Sequence, residues 1–100
     1  VDVRPSFRGG DANQFSKWVN SHLVYPKKAK KAGVQGRVTL AFTIAEDGTV
    51  VDVRVLRGIN EELDNEAVRV VSSSPKWTPA QKDGQPVAVT YTFPVIFQCR

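Results

Sequence analysis

One hundred residues, 41% hydrophobic and 24% charged, suffice for one domain with a single modest core and are too apolar for a disordered chain. A net charge of +4 falls well short of a nucleic-acid-binding footprint, and no apolar run reaches the roughly 18 residues that would span a membrane, so direct insertion of this domain is excluded. One Cys and one His near opposite ends give no support to a Cys-His nucleophile, and Cys99 is read as a terminal residue of no consequence.

The chain begins at Val1, contains no Met, and has no basic stretch leading into an apolar one. It is read as a piece of a longer protein without a signal peptide, whose membrane anchor would lie outside it. Residues 1–100 are taken as one domain, with Val1 to Arg8 as an extended arm. Gly9-Gly10-Asp11 then announces a helix, with Asp11 as N-cap or first-turn acid. Ala12, Phe15, Trp18, Val19 and His22 fall at helical spacing, which predicts an amphipathic helix through about Ser21. Tyr25 precedes Pro26 and is pushed out of the α region, so the helix ends before it. Pro26 opens a short second helix over Lys27 to Lys31, capped by Gly33.

Gly36 to Arg57 predicts a β-hairpin. Val38, Leu40, Phe42 and Ile44 alternate with Arg37, Thr39, Ala41 and Thr43, Asp47-Gly48 supplies the turn, and Val51, Val53 and Val55 are expected to share the apolar face. An isolated hairpin is marginal in water and needs a further strand or a helix against it. Asn60 is a good N-cap for the following helix, and Glu61, Glu62, Asp64 and Glu66 suit the positive end of its dipole. Leu63, Ala67, Val70, Val71 and Ser74 mark its buried face, and Pro75 ends it. Pro79 and Asp83-Gly84 are read as irregular structure. A last strand is expected from Pro86 to about Phe97, with Val87, Val89, Tyr91, Phe93, Val95 and Phe97 on one face. Pro94 cannot donate to a ladder, which places this strand at a sheet edge. The fold expected is α+β: a three-stranded antiparallel sheet in the order 2-1-3, helices on one face by a right-handed crossover, and an open edge at the last strand.

Chemistry-bearing clusters are scarce. His22 stands alone, so no metal site is expected, and a surface residue at a helix end is the simpler reading. The acids of residues 61–66 are explained by capping and solubility, and no phosphate-cradling glycine motif is present. Lys27, Lys28, Lys30 and Lys31 are read as a solvated helix face near a helix C-terminus. Gly33-Val34-Gln35-Gly36 has the spacing of an RNA-clamping GXXG loop, but a strand follows where a helix is required. Trp18 and Trp77 are assigned to packing. No catalytic residue and no cofactor is expected. What remains is an apolar-alternating edge strand with no charge between Pro86 and Gln98, covered by a second copy or built to accept a guest strand.

Phe7-Arg8-Gly9-Gly10, Tyr25-Pro26 with Ala29, Gly33 and Gly36, Asp47-Gly48, Ala67, Pro75-Lys76-Trp77 with Pro79, and Pro86-Val87 occur in an order that resembles the TonB C-terminal domain family, particularly its Bacteroidetes-like form. The match runs from about Phe7 to Phe97; Arg8 stands where the family arm usually has proline. The resemblance implies a periplasmic domain, tethered to the inner membrane by a segment outside this chain and coupled there to proton-driven motor proteins. It implies binding of TonB-box peptides of outer-membrane transporters by strand addition, at Val87, Val89, Thr90, Tyr91, Thr92, Phe93 and Val95 and around His22, Leu23, Val24, Tyr25 and Pro26. A homodimer through the same edge is a further expectation. An alternative with the same fold is the TonB-like interaction or sensing tail of a membrane-bound signalling metallopeptidase. A nucleic-acid-binding α/β domain resting on the lysines would be marked by steep salt dependence.

Overall fold

The computed structural model describes residues 2–98; Cys99 lies outside the described residues. Helix α1 (Ala12–His22) starts where expected, with the Asp11 carboxylate accepting from the Asn13 N–H at 2.9 Å. It buries Phe15 and Val19 and runs one residue past the expected end. Helix α2 (Lys27–Lys31) follows Pro26 and buries only Ala29. Its end is a Schellman arrangement: Gly33 at φ +69° donates to the Lys30 carbonyl, and the Val34 N–H reaches back to Ala29.

The sheet consists of β1 (Gly36–Ile44), β2 (Val50–Arg57) and β5 (Val89–Phe97) in the order β2-β1-β5, each neighbouring pair antiparallel. This is the 2-1-3 order that the sequence predicts. Helix α3 (Glu61–Ser72) makes the connection from β2 and buries Leu63, Ala67, Val70 and Val71 against the sheet. Asn60 caps it, accepting from the Leu63 N–H at 2.9 Å. The core lies between this helix layer and the inner row of the sheet, Val38, Leu40, Phe42 and Ile44 on β1 with Phe93, Val95 and Phe97 on β5, all buried.

Three expectations need correction. Val51, Val53 and Val55 do not share one face, because β2 carries two bulges. Leu56 is left over between the Thr39–Arg57 and Leu40–Val55 pairs, and Asp52 with Val53 together oppose Phe42. Asp52 takes φ +53°, and beyond it Val50 pairs with Ile44 while Val51 pairs with Thr43 on the outer face. A one-residue slip moves every later side chain to the other side of the sheet.

The strand expected over Pro86 to Phe97 is two strands. Gln85–Val87 (β4) pairs with Ala80–Lys82 (β3) in a separate two-stranded sheet, and the chain breaks at Ala88 before β5 begins. Asp83 and Gly84, both at positive φ, make the two-residue turn between them, so the stretch read as irregular is a tight hairpin. The arm, expected only to be extended, also packs onto the fold: Val3 bridges Gln81, Ser6 bridges Thr78, and Phe7 has no exposed surface. Phe7 and Gly10 exchange main-chain hydrogen bonds of 3.0 and 2.8 Å around Arg8 and Gly9, both at positive φ, as a type I′ turn requires.

Gly48 closes the β1–β2 turn at φ +88°, and its carbonyl accepts from the Trp77 N–H at 2.8 Å. A Cβ at this position would sit 2.0 Å from the Trp77 carbonyl oxygen. Gly84 shares the left-handed conformation but opens onto empty space. Gly48→Ala is therefore expected to cost about 2–4 kcal/mol and Gly84→Ala about 1 kcal/mol, compared by their urea midpoints.

Candidate functional site

A sheet of this order has two edges, and they differ. On β2 the bulges interrupt the ladder, and Asp52, Arg54 and Arg57 place charges along it. On β5 nine consecutive pairs, from Ile44–Val89 to Gly36–Phe97, run without a register shift, and the strand carries no charge. Among the described residues, β5 has no ladder partner on its other side. Bulges and charges are how proteins blunt an edge against further pairing, so β2 is protected and β5 is open. Pro94 sits opposite Thr39 within β5 and removes one donor.

Of the expected binding residues, Val89, Thr90, Tyr91, Thr92, Phe93 and Val95 lie on β5, and Leu23 and Tyr25 line a groove at its end. Val89, Tyr91, Phe93 and Val95 form the inner row of β5, and Thr90 and Thr92 point to the outer face, where the Thr90 hydroxyl lies 3.2 Å from that of Thr43. Val87 is not on this strand; it pairs with Ala80 in the β3–β4 hairpin. His22 is exposed at the end of α1, stacked on Trp18 at 4.4 Å. Leu23 and Tyr25 reach the end of β5, where with Asn20, Ile96 and Gln98 they line an open groove of about 410 Å³. Tyr25 sets its ring edge-on to Phe97 at 5.5 Å, and its hydroxyl donates to the Val34 carbonyl. Val24 is exposed and Pro26 half-buried.

Two features escaped the sequence reading. Glu66 and Arg69 of α3 hold the segment between α1 and α2 in place. The carboxylate accepts from the Val24 N–H at 2.6 Å and from Arg69 at 2.6 and 2.7 Å, while Arg69 also donates to the His22 carbonyl at 3.2 Å. Nothing in the spacing of residues 22, 24, 66 and 69 signals this; it arises when α1 is laid beside α3. At the other end of β5, Arg4 and Pro5 of the arm lie against Val89, Thr90 and Tyr91 in a smaller groove of about 280 Å³. The Phe7 preceding Gly9-Gly10 was the available hint that the arm is anchored.

A family model described as the Gram-negative bacterial TonB protein C-terminal region matches residues 21–99. The chain belongs to the TonB C-terminal domain family. It is 34% identical over 65 residues to Protein TonB of Pseudomonas aeruginosa and 32% identical over 66 residues to Protein TonB of Helicobacter pylori. These stretches cover 65% and 62% of this chain but only 19% and 24% of those relatives, so the chain spans about a fifth to a quarter of their length. The solution structure of the Helicobacter pylori TonB C-terminal domain superposes with a TM-score of 0.68 at 25% identity, over 87% of this chain and 91% of that one. The Pseudomonas aeruginosa TonB C-terminal domain gives 0.61 at 31% identity, over 77% and 78%.

Burial raises the cost of ionising Glu66, but the hydrogen bonds from Arg69 and the Val24 N–H and the Arg69 charge outweigh it, holding its pKa below the ordinary 4.5. A carboxylate depressed on folding contributes stability that is fully present above its unfolded pKa and is lost as pH falls through the folded one. Glu66→Gln is thus expected to lower stability by about 1 kcal/mol at pH 7. The difference from the parent protein should vanish in acid below the folded pKa, as urea midpoints measured across pH would register.

Proposed function

We propose that this domain binds the TonB box of outer-membrane transporters by adding it as a strand along β5, and passes to it force drawn from a proton-driven motor in the inner membrane. The observation that carries this reading is the contrast between the edges: β2 is bulged and charged, whereas β5 is nine residues of uncharged strand in unbroken register with no strand paired to its free side among the described residues. Family membership supports the transducer role, a periplasmic location for the domain, and an anchor and linker outside this chain. The relatives named above are all TonB proteins, which favours this reading over a sensor-peptidase tail.

Strand addition recognises main chain, so it accepts many guest sequences, while pockets beside the strand select alternate side chains. The groove formed by Leu23 and Tyr25 at one end of β5 and that of Arg4 and Pro5 at the other are where such selection takes place. The contact residues are Val89, Thr90, Tyr91, Thr92, Phe93 and Val95 on the strand, with His22, Leu23, Val24, Tyr25 and Pro26 flanking it. Val87, displaced into the hairpin, contributes only at the margin. The same edge can receive a second copy of the chain, in competition with the guest.

Four to six added main-chain hydrogen bonds, each worth a net ~0.5–1.5 kcal/mol, work against an association cost of at least ~4 kcal/mol. The complex is therefore weak, with a Kd in the micromolar range or above, which suits a coupling that engages and releases repeatedly. In an amide NMR titration with a TonB-box peptide from the same organism's transporters, shifts should concentrate on residues 89–97 and 22–26 and spare β2. An absence of shifts at millimolar peptide, or shifts centred on β2, would refute the assignment.

A further inference from the structure

We propose that Glu66 is a positioning residue for the guest strand: standing outside the docking edge, it fixes Leu23 at the Phe97 end of β5 before a guest arrives. The proposal rests on strand addition along β5 and adds to it a residue of α3 that sets the affinity of that edge.

Residues 23–26, between α1 and α2, belong to no helix or ladder. Their main-chain groups must therefore find side chains or water. Two groups of this crossing are taken up by α3, through side chains three residues apart and so on one face of the helix. The Val24 N–H donates to the Glu66 carboxylate at 2.6 Å, and the His22 carbonyl accepts from Arg69 at 3.2 Å. These bonds fall on either side of Leu23 and fix its backbone from both directions.

The placement of Glu66 suits this task and no other on the page. Glu61, Glu62 and Asp64 occupy the first turn of α3, where acids suit the helix dipole; Glu66 lies beyond it. Its side chain is only 10% exposed, against 52% for Arg69, so its charge is turned into the protein. Arg69 grips the carboxylate through Nε at 2.6 Å and Nη2 at 2.7 Å, a two-pronged contact that sets the carboxylate plane. Held in this way, Oε2 is aimed at the Val24 N–H.

The two apolar walls of the groove at the end of β5 are thus secured differently. Tyr25 is anchored by its own side chain, with its ring against Phe97 and its hydroxyl on the Val34 carbonyl. Leu23 is only partly buried against the core, and it faces the groove together with Ile96 and Gln98. Its placement depends on the clamp. A guest side chain arriving at this end meets a leucine already ordered; without Glu66, the ordering falls on the binding step. Ordering one flexible side chain on binding lowers affinity by about twofold to tenfold.

The test is an amide NMR titration with a TonB-box peptide of the parent protein, Glu66→Ala, Glu66→Gln, Leu23→Ala and the double variant Glu66→Ala/Leu23→Ala. Glu66→Ala should weaken binding by about twofold to tenfold, with peptide-induced shifts reduced at residues 22–26 and retained at residues 89–93. Glu66→Gln keeps an oxygen able to accept from the Val24 N–H and should lie nearer the parent. Adding Glu66→Ala to Leu23→Ala should cost nothing further, because both act through the same side chain. Gly84→Ala, which lowers stability at the β3–β4 turn instead, should bind as the parent does. Arg69→Gln, which loses the bond to His22, tests the same clamp if Glu66→Ala does not fold, and should also weaken binding. Parent-like affinity of the clamp variants, equal weakening in Glu66→Gln and Glu66→Ala or in Gly84→Ala, or full additivity with Leu23→Ala overturns the proposal and leaves strand addition intact. If the peptide does not shift residues 89–97 of the parent, strand addition itself fails and the role of Glu66 falls with it.

Discussion

The indole of Trp77 is the contact on which the remaining elements converge. Its ring centroid lies 5.3 Å from Phe7 of the arm, 4.9 Å from Phe15 of α1, 6.0 Å from Phe42 of β1 and 5.9 Å from Tyr91 of β5. Its main-chain N–H holds the Gly48 carbonyl in the hairpin turn. One residue thereby ties together the arm, the first helix, the central hairpin and β5. Each aromatic pair is worth ~0.5–1.5 kcal/mol beyond its buried area, and each constrains the orientation of the next. Phe15 repeats the pattern one layer on, touching Phe7, Phe42, Trp77 and Phe93.

From this cluster follows the asymmetry between the two edges of the sheet. The inner row of β5 is clamped to the core through Phe93, Val95 and Phe97, so its ladder with β1 stays in register over nine pairs. Strand β2 is tied less firmly: Val51, Val55 and Leu56 are exposed, and its bulges twist the outer ladder away from a regular geometry. A guest strand needs a straight, rigid template, and only β5 offers one. Its flanks are braced independently, at one end by the Glu66–Arg69 clamp on the segment after α1 and at the other by the arm paired to Thr78 and Gln81. On the proposed strand addition, binding to such an edge would require little reorganisation of the domain, and its weak net affinity would reflect the few bonds formed.

Most of the architecture was legible in the residues because the long elements are strongly periodic. Val38 to Ile44 alternate cleanly, Leu63 to Val71 repeat at helical spacing, and Asp11, Asn60 and Gly33 cap where such residues cap. What escaped has a physical reason in each case. The bulge at Asp52 is hidden because Val50, Val51, Val53 and Val55 are all valine, so a slipped register and an unslipped one look equally apolar. Strands β3 and β4 are three residues each, too short for alternation to show, although Asp83-Gly84 is a strong hairpin signal. The clamp of Glu66 and Arg69 joins positions more than 40 residues apart in sequence, a tertiary fact with no local pattern. Of the residues expected on the last strand, Val87 lies in the β3–β4 hairpin instead, beyond the break at Ala88. Ile96, Gln98 and Asn20, which line the groove with Leu23 and Tyr25, were not singled out because nothing local distinguishes them.

The central claim is that β5, and not β2, is the strand completed by a guest. Amide hydrogen exchange of the domain, alone and saturated with a TonB-box peptide, tests it most directly. The outward-facing N–H groups of residues 89–97 should exchange fast in the free domain and slow by at least about tenfold in the complex, with β2 unchanged. Protection that rises on β2, or that leaves residues 89–97 as fast as before while the peptide is bound, would contradict the account.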